Sequence, residues 1–152
     1  MADAATGKKG HPPGLYILFG TEAAERFSFY TMRAILILYL TKVIFFGDGS
    51  TEEVRATALE VYATYLLMVY LSGLLGGYFA DKWLGSRKSI FIGGIVMASG
   101  LFAMASPDLV FYGLALIVTG NGFFKPNIST IVSGLYDEGD SRRDGAFTIF
   151  YM

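Results

Sequence analysis

The hydrophobic positions of this chain form four long runs and the beginning of a fifth, separated by short polar stretches. About 20 apolar residues are enough for a helix to span a bilayer, so each long run predicts a membrane helix. The predicted helices lie at about 14–46, 53–82, 87–105, 107–135 and 141–152. The pattern therefore predicts an all-α fold, a polytopic membrane helical bundle.

Composition supports a membrane protein and argues against several classes of function. Of the 152 residues, 53% are hydrophobic and 16% are charged, whereas soluble domains carry about 25% charged residues. The net charge of -1 gives no reason to expect nucleic acid as a partner. The chain has no Cys and one His, so we expect no disulfide, metal site or cofactor. It contains no phosphate-binding loop and no nucleophile–His arrangement, so we expect no enzymatic activity.

The first predicted helix carries four ionisable side chains within its apolar run: Glu22, Glu25, Arg26 and Arg33. At about 100° per residue, all four lie on one face of the helix. Each unpaired charge at mid-bilayer costs about 2.5–3.5 kcal/mol, so these groups must pair or face water. One interpretation is a buried ion pair that only joins two helices. Two acids and two bases exceed what that role requires, and intramembrane charges usually mark ion or substrate pathways.

The fourth predicted helix contains a further intramembrane charge, Lys125, directly before Pro126. Proline removes a backbone donor, so we expect this pair to interrupt the helix. Lys125 needs an acidic partner, and Glu22 and Glu25 are the acids at comparable depth. Alternatively, Lys125 snorkels to the membrane surface. About ten residues, or some 15 Å of helix, separate it from the polar loop at Tyr136, which disfavours snorkelling.

The connection after the second predicted helix contains a third polar motif, formed by Asp81, Gly85 and Arg87. An acid and a base at this spacing could form a latch between helices that breaks when the helices move. They could equally belong to an ordinary basic loop at the membrane surface. The spacing alone does not decide between these two interpretations.

Charges in the connections alternate in sign along the chain, which predicts the orientation in the membrane. One side carries the basic residues Lys8, Lys9, Lys82, Arg87, Lys88, Arg142 and Arg143. The other side carries the acidic residues Asp48, Glu52, Glu53 and Asp108, with Arg55 as an exception. By the positive-inside rule, residues 1–13 are expected to form a cytoplasmic tail. We expect a multi-pass integral protein of the inner or plasma membrane.

Four stretches together resemble the signatures of one transporter family. They are Glu22 to Tyr30, Asp81 to Arg87, Lys125 to Asn127 and Phe150 to Met152. From His11 onward the chain is similar to the proton-dependent oligopeptide transporters, a branch of the major facilitator superfamily. The first stretch resembles the family motif Glu-x-x-Glu-Arg-Phe-x-Tyr-Tyr, although Phe29 replaces its first tyrosine. Two other positions depart from the family: Ala24 replaces a usual tryptophan, and Asn121 stands where threonine is common.

The resemblance implies that residues 14–152 belong to an N-terminal six-helix bundle, one of two bundles around a central cavity. It also implies proton-coupled symport of di- and tripeptides by alternating access, with peptides, protons and the lipid bilayer as partners. The implied proton-coupling residues are Glu22, Glu25, Arg26 and Lys125. The implied peptide-binding residues are Arg33, Tyr30, Tyr70, Lys125 and Tyr151. The implied gating loop contains Asp81, Gly85 and Arg87.

Two other functions stay open on the sequence alone. One is a related secondary transporter for another small anionic solute, such as nitrate or an amino-acid conjugate. The other is a small four-helix membrane scaffold, which requires the chain to end at residue 152. The fifth apolar run contains about eight residues, which is far short of a span. We therefore expect the chain to be the N-terminal piece of a larger polytopic protein.

Overall fold

The computed structural model describes residues 10–47 and 49–151, and the regular structure within them is helical. The helices are α1 (Pro13–Tyr39), α2 (Thr51–Phe79), α3 (Ser86–Ala103), α4 (Val110–Ser133) and α5 (Arg142–Tyr151). Wider π-helical turns extend α1 and α2, and a 3-10 turn precedes α4; they are Leu40–Ile44, Ala80–Leu84 and Pro107–Leu109. The predicted all-α class is confirmed. Residues 1–9 of the predicted tail, with Lys8 and Lys9, lie outside the described residues, as do Asp48 and Met152.

Three helical stretches in the described part of the chain are long and apolar enough to cross a membrane. They are Pro13–Ile44, Thr51–Leu84 and Pro107–Ser133. The sequence also predicted a span at α3, which is 18 residues long and is not among the three. The first turn of α3 carries Arg87 and Lys88, and these two charges lower the hydropathy of a helix that is barely long enough to cross.

The α2 helix begins with a capping box at Ser50. The backbone N–H of Glu53 donates to Ser50 Oγ at 3.3 Å, and the backbone N–H of Ser50 donates to Glu53 Oε2 at 2.9 Å. The N-cap is therefore Ser50. Two backbone donors that α2 leaves without helical partners are satisfied in this way.

The α4 helix continues through Pro126, so the predicted interruption at Lys125 and Pro126 is wrong. Proline deprives the carbonyl of Gly122 of its usual donor four residues later. That carbonyl lies against α2, where a Cβ atom added to Gly76 would stand 2.1 Å from its oxygen. Asn127 Nδ2 also donates to the carbonyl of Phe123 at 2.8 Å. Close packing against α2 and this extra bond accommodate the proline without ending the helix.

The α3 and α4 helices pack along a seam of glycines that face each other. A Cβ atom added to Gly93 would lie 2.7 Å from the carbonyl oxygen of Gly120, and one added to Gly100 would lie 2.7 Å from that of Gly113. Backbones can approach this closely only when neither carries a side chain at the contact. The seam therefore fixes the position of α4 relative to α3.

Two buried apolar clusters lie towards opposite ends of the bundle. The first contains Met32, Leu36, Leu40, Ala58, Tyr65, Val69, Leu114 and Ile117. The second contains Leu15, Phe124, Ile128, Val132, Tyr136, Ala146 and Phe150. Along α1, Glu22 and Glu25 fall between Leu15 of the second cluster and Met32 of the first. The two acids of α1 therefore lie near the middle of the bundle.

Candidate functional site

A cavity of about 550 Å³ opens between α1, α2 and α4 and reaches the end of α5. Its volume is within the range of typical small-molecule sites. Three cations line it: Arg26, Arg33 and Lys125. The tyrosines predicted for ligand contact, Tyr30, Tyr70 and Tyr151, line the same cavity. Because two carboxylates accompany the three cations, the group carries one excess positive charge when both acids are ionised.

Glu22 forms a short ion pair along α1. Arg26 Nε donates to Glu22 Oε1 at 2.7 Å, across one helical turn. Arg26 also uses Nη1 to donate to the Tyr30 hydroxyl at 3.3 Å. Glu22 is buried, and its second oxygen, Oε2, accepts no hydrogen bond from the described residues. One of the two carboxylate oxygens thus accepts a hydrogen bond, and its donor is a cation that also faces the cavity.

Glu25 lies behind the cavity wall, and α4 supplies its other partners. Asn121 Nδ2 donates to Glu25 Oε1 at 3.1 Å. Glu25 Oε2 lies 3.9 Å from both Arg26 Nε and Lys125 Nζ, which is too far for a hydrogen bond. No described residue donates a hydrogen bond to this oxygen. We predicted an acidic partner for Lys125, and in the structure this partner is Glu25. The two charged groups are 3.9 Å apart, so they attract each other without a hydrogen bond.

Lys125 and Arg33 share an aromatic neighbour at the position where the family motif has tyrosine. Lys125 Nζ lies 5.2 Å from the centroid of the Phe29 ring, and the Arg33 guanidinium carbon lies 5.5 Å from the same centroid. Both distances are within the range of cation–π attraction. Lys125 therefore extends towards α1, which removes the snorkelling alternative.

Arg33 is held by α2 and has no acidic partner within the described residues. Its Nε donates to the hydroxyl of Tyr62 at 3.0 Å, and its guanidinium carbon lies 5.8 Å from the centroid of that ring. Within the described residues, no carboxylate oxygen lies within 4.0 Å of Arg33. A cation held by neutral groups at the wall of a cavity can accept an incoming anion without breaking an ion pair.

The cavity brings together all the predicted coupling and ligand-contact residues except Glu25, which reaches it through Asn121 and Lys125. The predicted gating residues lie elsewhere, at the turn between α2 and α3. Asp81 and Arg87 are exposed there and form no ion pair with each other or with another described residue. Gly85 has φ of 75°, a left-handed conformation that favours glycine. Within residues 10–47 and 49–151, the latch interpretation therefore has no counterpart.

Sequence reasoning missed three site residues: Asn121, Tyr62 and Ser129. Tyr62 and Asn121 contact Arg33 and Glu25 as described above, and Ser129 Oγ lies 2.8 Å from the Tyr151 hydroxyl. The spacing held a signal for one of them, because Asn121 precedes Lys125 by four residues and so shares its helix face. No spacing identifies Tyr62, since its contact depends on how α1 and α2 pack.

Comparisons with known proteins agree on one group of relatives. Residues 87–152 match the family model described as the POT family. The chain is 44% identical over 146 residues to the di-/tripeptide transporter of Lactococcus lactis subsp. lactis (strain IL1403), an alignment covering 94% of this chain and 29% of that protein.

Two crystal structures resemble the chain over 95% of its length and 30% of theirs. One is the peptide transporter POT in complex with sulfate, at 41% identity and a TM-score of 0.84. The other is a POT family transporter in complex with 5-aminolevulinic acid, at 36% identity and a TM-score of 0.83. The chain therefore spans less than a third of the length of these relatives.

Proposed function

The chain belongs to the POT family, and we propose on this premise that it is part of a proton-coupled symporter of di- and tripeptides that works by alternating access. The observation that carries the proposal is the charge arrangement at one cavity. Two buried carboxylates hold two cations there, while Arg33 faces the cavity with no carboxylate partner among the described residues. The relative from Lactococcus lactis is named a di-/tripeptide transporter, which supports peptides as the substrate class.

Arg33 and Lys125 are the proposed contacts for the peptide carboxylate. Both line the cavity, and the excess positive charge attracts an anionic group into a partly desolvated site. Tyr30, Tyr70 and Tyr151 offer hydroxyl groups for the polar atoms of the peptide backbone. One relative binds sulfate, and an anion site of this composition suits both sulfate and carboxylate.

The proton acts through the buried acids. When ionised, Glu22 and Glu25 attract Arg26 and Lys125; when one of them is protonated, its cation is released towards the cavity. The released cation can then turn to the peptide carboxylate. A proton crossing a potential of 100 mV contributes about 2.3 kcal/mol, or roughly a 50-fold concentration gradient. One proton is therefore enough to drive accumulation of a peptide.

The orientation and the loop residues complete the proposal. The basic connections support a cytoplasmic N-terminus, and we propose the inner or plasma membrane as the location. Asp81 and Arg87 are exposed beside the turn at Gly85, and we assign them to the gating loop, where they would form contacts that change between transport states.

The test is uptake of labelled dialanine into liposomes by the complete protein that carries these residues. We expect Glu22→Gln and Glu25→Gln each to reduce gradient-driven accumulation at least tenfold while counterflow exchange continues, because exchange needs no net proton movement. Glu52→Gln is the matched control, since Glu52 is exposed in the first turn of α2. Full accumulation by both glutamine variants would refute the coupling mechanism.

The substrate class is tested in the same liposomes. Arg33→Gln should raise the KM for dialanine by about tenfold, the equivalent of one charge-assisted hydrogen bond of about 1.5 kcal/mol. Competition separates the alternatives: unlabelled di- and tripeptides should block uptake, and nitrate should not. Inhibition by nitrate and not by peptides would favour another anionic solute as the substrate.

A further inference from the structure

The two buried acids differ in the group that holds them. Glu22 Oε1 accepts a hydrogen bond from the cation Arg26 at 2.7 Å, whereas Glu25 Oε1 accepts one from the neutral amide of Asn121 at 3.1 Å. Both bonds end on a carboxylate and are charge-assisted when the acid is ionised, but only the bond at Glu22 also joins two opposite charges, which adds Coulomb attraction. Protonation of Glu22 would therefore weaken a strong, short ion pair. Protonation of Glu25 would leave its one close hydrogen bond in place, because the proton can bind the other oxygen.

Asn121 is held in position by the glycines on either side of it. A Cβ atom added to Gly120 would lie 2.6 Å from the carbonyl oxygen of Gly93 in α3, and one added to Gly122 would lie 2.5 Å from that of Ser72 in α2. Asn121 itself is 2% exposed. The α4 backbone is thus wedged between two helices at this point, and the amide cannot follow Glu25 if that side chain moves.

Among the residues that the structure describes, the charged and titratable groups that approach Glu25 come from α1, α2 and α4. From α1 they are Glu22 and Arg26, and from α4 Lys125. From α2, Tyr65 is within electrostatic range, and its buried hydroxyl has no partner among the described residues. The α3 side is apolar. Neither cation reaches hydrogen-bond distance, so Glu25 Oε2 is free to bind a proton.

From this geometry we propose that Asn121 is a positioning residue that makes Glu25 the carboxyl whose protonation changes, while Glu22 stays ionised on Arg26. The inference rests on the proposed proton-coupled function. A proton binds Glu25 Oε2, the carboxylate becomes a neutral acid, and Asn121 keeps its hydrogen bond to Oε1. Glu25 therefore stays in place, and Lys125 loses its counter-charge and turns towards the cavity.

Infrared difference spectroscopy of the complete protein tests the assignment without any transport. We expect a protonated-carboxyl band that titrates with pH and disappears in Glu25→Gln but persists in Glu22→Gln. A band that disappears in Glu22→Gln instead would overturn the assignment of Glu25. A protein that shows the Glu25 band but does not take up peptides would refute the proposed function while leaving this inference standing.

The role of Asn121 is tested with a pair of nearly isosteric variants. Asn121→Thr keeps a hydroxyl donor, and Asn121→Val has nearly the same shape without it. We expect Asn121→Val to move the midpoint of the Glu25 band by about one unit to higher pH, because it removes a hydrogen bond to the carboxylate. Its gradient-driven accumulation should fall about tenfold, and Asn121→Thr should stay within twofold of the unmodified protein. Equal midpoints in the two variants would overturn the role of Asn121.

A double-mutant cycle guards against a merely structural effect of Asn121→Val. If Asn121 acts through Glu25, adding Asn121→Val to Glu25→Gln should cause no further loss of accumulation. Additive losses would show that Asn121 acts elsewhere and would overturn the inference. If Asn121→Val fails to fold, the midpoint of Asn121→Ala replaces it, because alanine also lacks a side-chain donor. A shift of less than a quarter of the expected unit in that variant would count against the proposal.

Discussion

Two polar clusters of this chain each contain a carboxylate paired with an arginine, but they differ in how many hydrogen bonds the carboxylates accept. The loop cluster contains His11, Tyr136, Asp140 and Arg142. In it, Arg142 donates to both carboxylate oxygens of Asp140, the shortest contact being 2.6 Å. The span cluster contains Glu22, Glu25, Arg26, Asn121 and Lys125. Its acids each keep one oxygen without a hydrogen bond from the described residues.

The difference lies in how completely the acids are satisfied. Asp140 also accepts from the backbone N–H of Arg142 at 2.9 Å, and Arg142 Nη1 donates to the carbonyl of Gly10 at 2.7 Å. The His11 ring nitrogen Nδ1 lies 2.8 Å from the Tyr136 hydroxyl. These bonds tie the start of α1 to the connection before α5. In the loop cluster both carboxylate oxygens accept hydrogen bonds, and the cluster holds two segments together. In the span cluster each acid has an oxygen without such a bond from the described residues, so its side chains can exchange partners.

The largest expected effect is from breaking the span cluster. Arg26→Met leaves Glu22 buried without its cation, and we expect it to lower the stability of the complete protein by about 2–3 kcal/mol, somewhat below the range for deeply buried pairs because Arg26 also faces the cavity. Thermal unfolding in detergent measures the effect. Arg55→Met, at an exposed position of α2, is the control. Equal melting temperatures for the two variants would show that the Glu22–Arg26 pair contributes little.

The next effect tests whether helix packing holds the span cluster together. Gly93→Ala places a methyl group 2.7 Å from the carbonyl oxygen of Gly120, and overpacking of this kind costs about 1–3 kcal/mol. Gly94→Ala is its neighbour in sequence and meets nothing within 4 Å. We expect Gly93→Ala to melt at a lower temperature and to lose coupled uptake, and Gly94→Ala to keep both. Similar behaviour of the pair would argue against the glycine seam as the element that positions α4.

The smallest effect is expected in the loop cluster and depends on pH. Hydrogen bonds from Arg142 lower the pKa of Asp140 from 3.8 to about 2. A carboxyl whose pKa is lowered by folding stabilises the folded state above pH 3.8, and this contribution is lost as the pH falls towards 2. Asp140→Asn should therefore show a slightly lower melting temperature at pH 5 and a smaller difference from the unmodified protein near pH 2.5. A difference that grows on acidification would contradict this interpretation.

The fold followed from patterns that act over short distances. Apolar runs predicted the helices because a segment that crosses lipid must hydrogen-bond its own backbone N–H and C=O groups, and a helix does this within one segment. The failure at Pro126 had a physical cause: a proline usually ends a helix, but here Gly76 lets α2 approach the freed carbonyl of Gly122. That arrangement joins α2 and α4, so the sequence around Pro126 alone could not reveal it.

By itself, the sequence determined the helices and the charged face of α1, because these depend on residues within one or two helical turns. Only the tertiary structure decided that Glu25 binds Asn121, that Lys125 lies near Glu25 and that Tyr62 holds Arg33. These contacts join residues that are far apart in the chain, between α1 and either α2 or α4. The physical reason is that helical periodicity sets the face a side chain occupies, whereas interhelical packing sets the partner it meets.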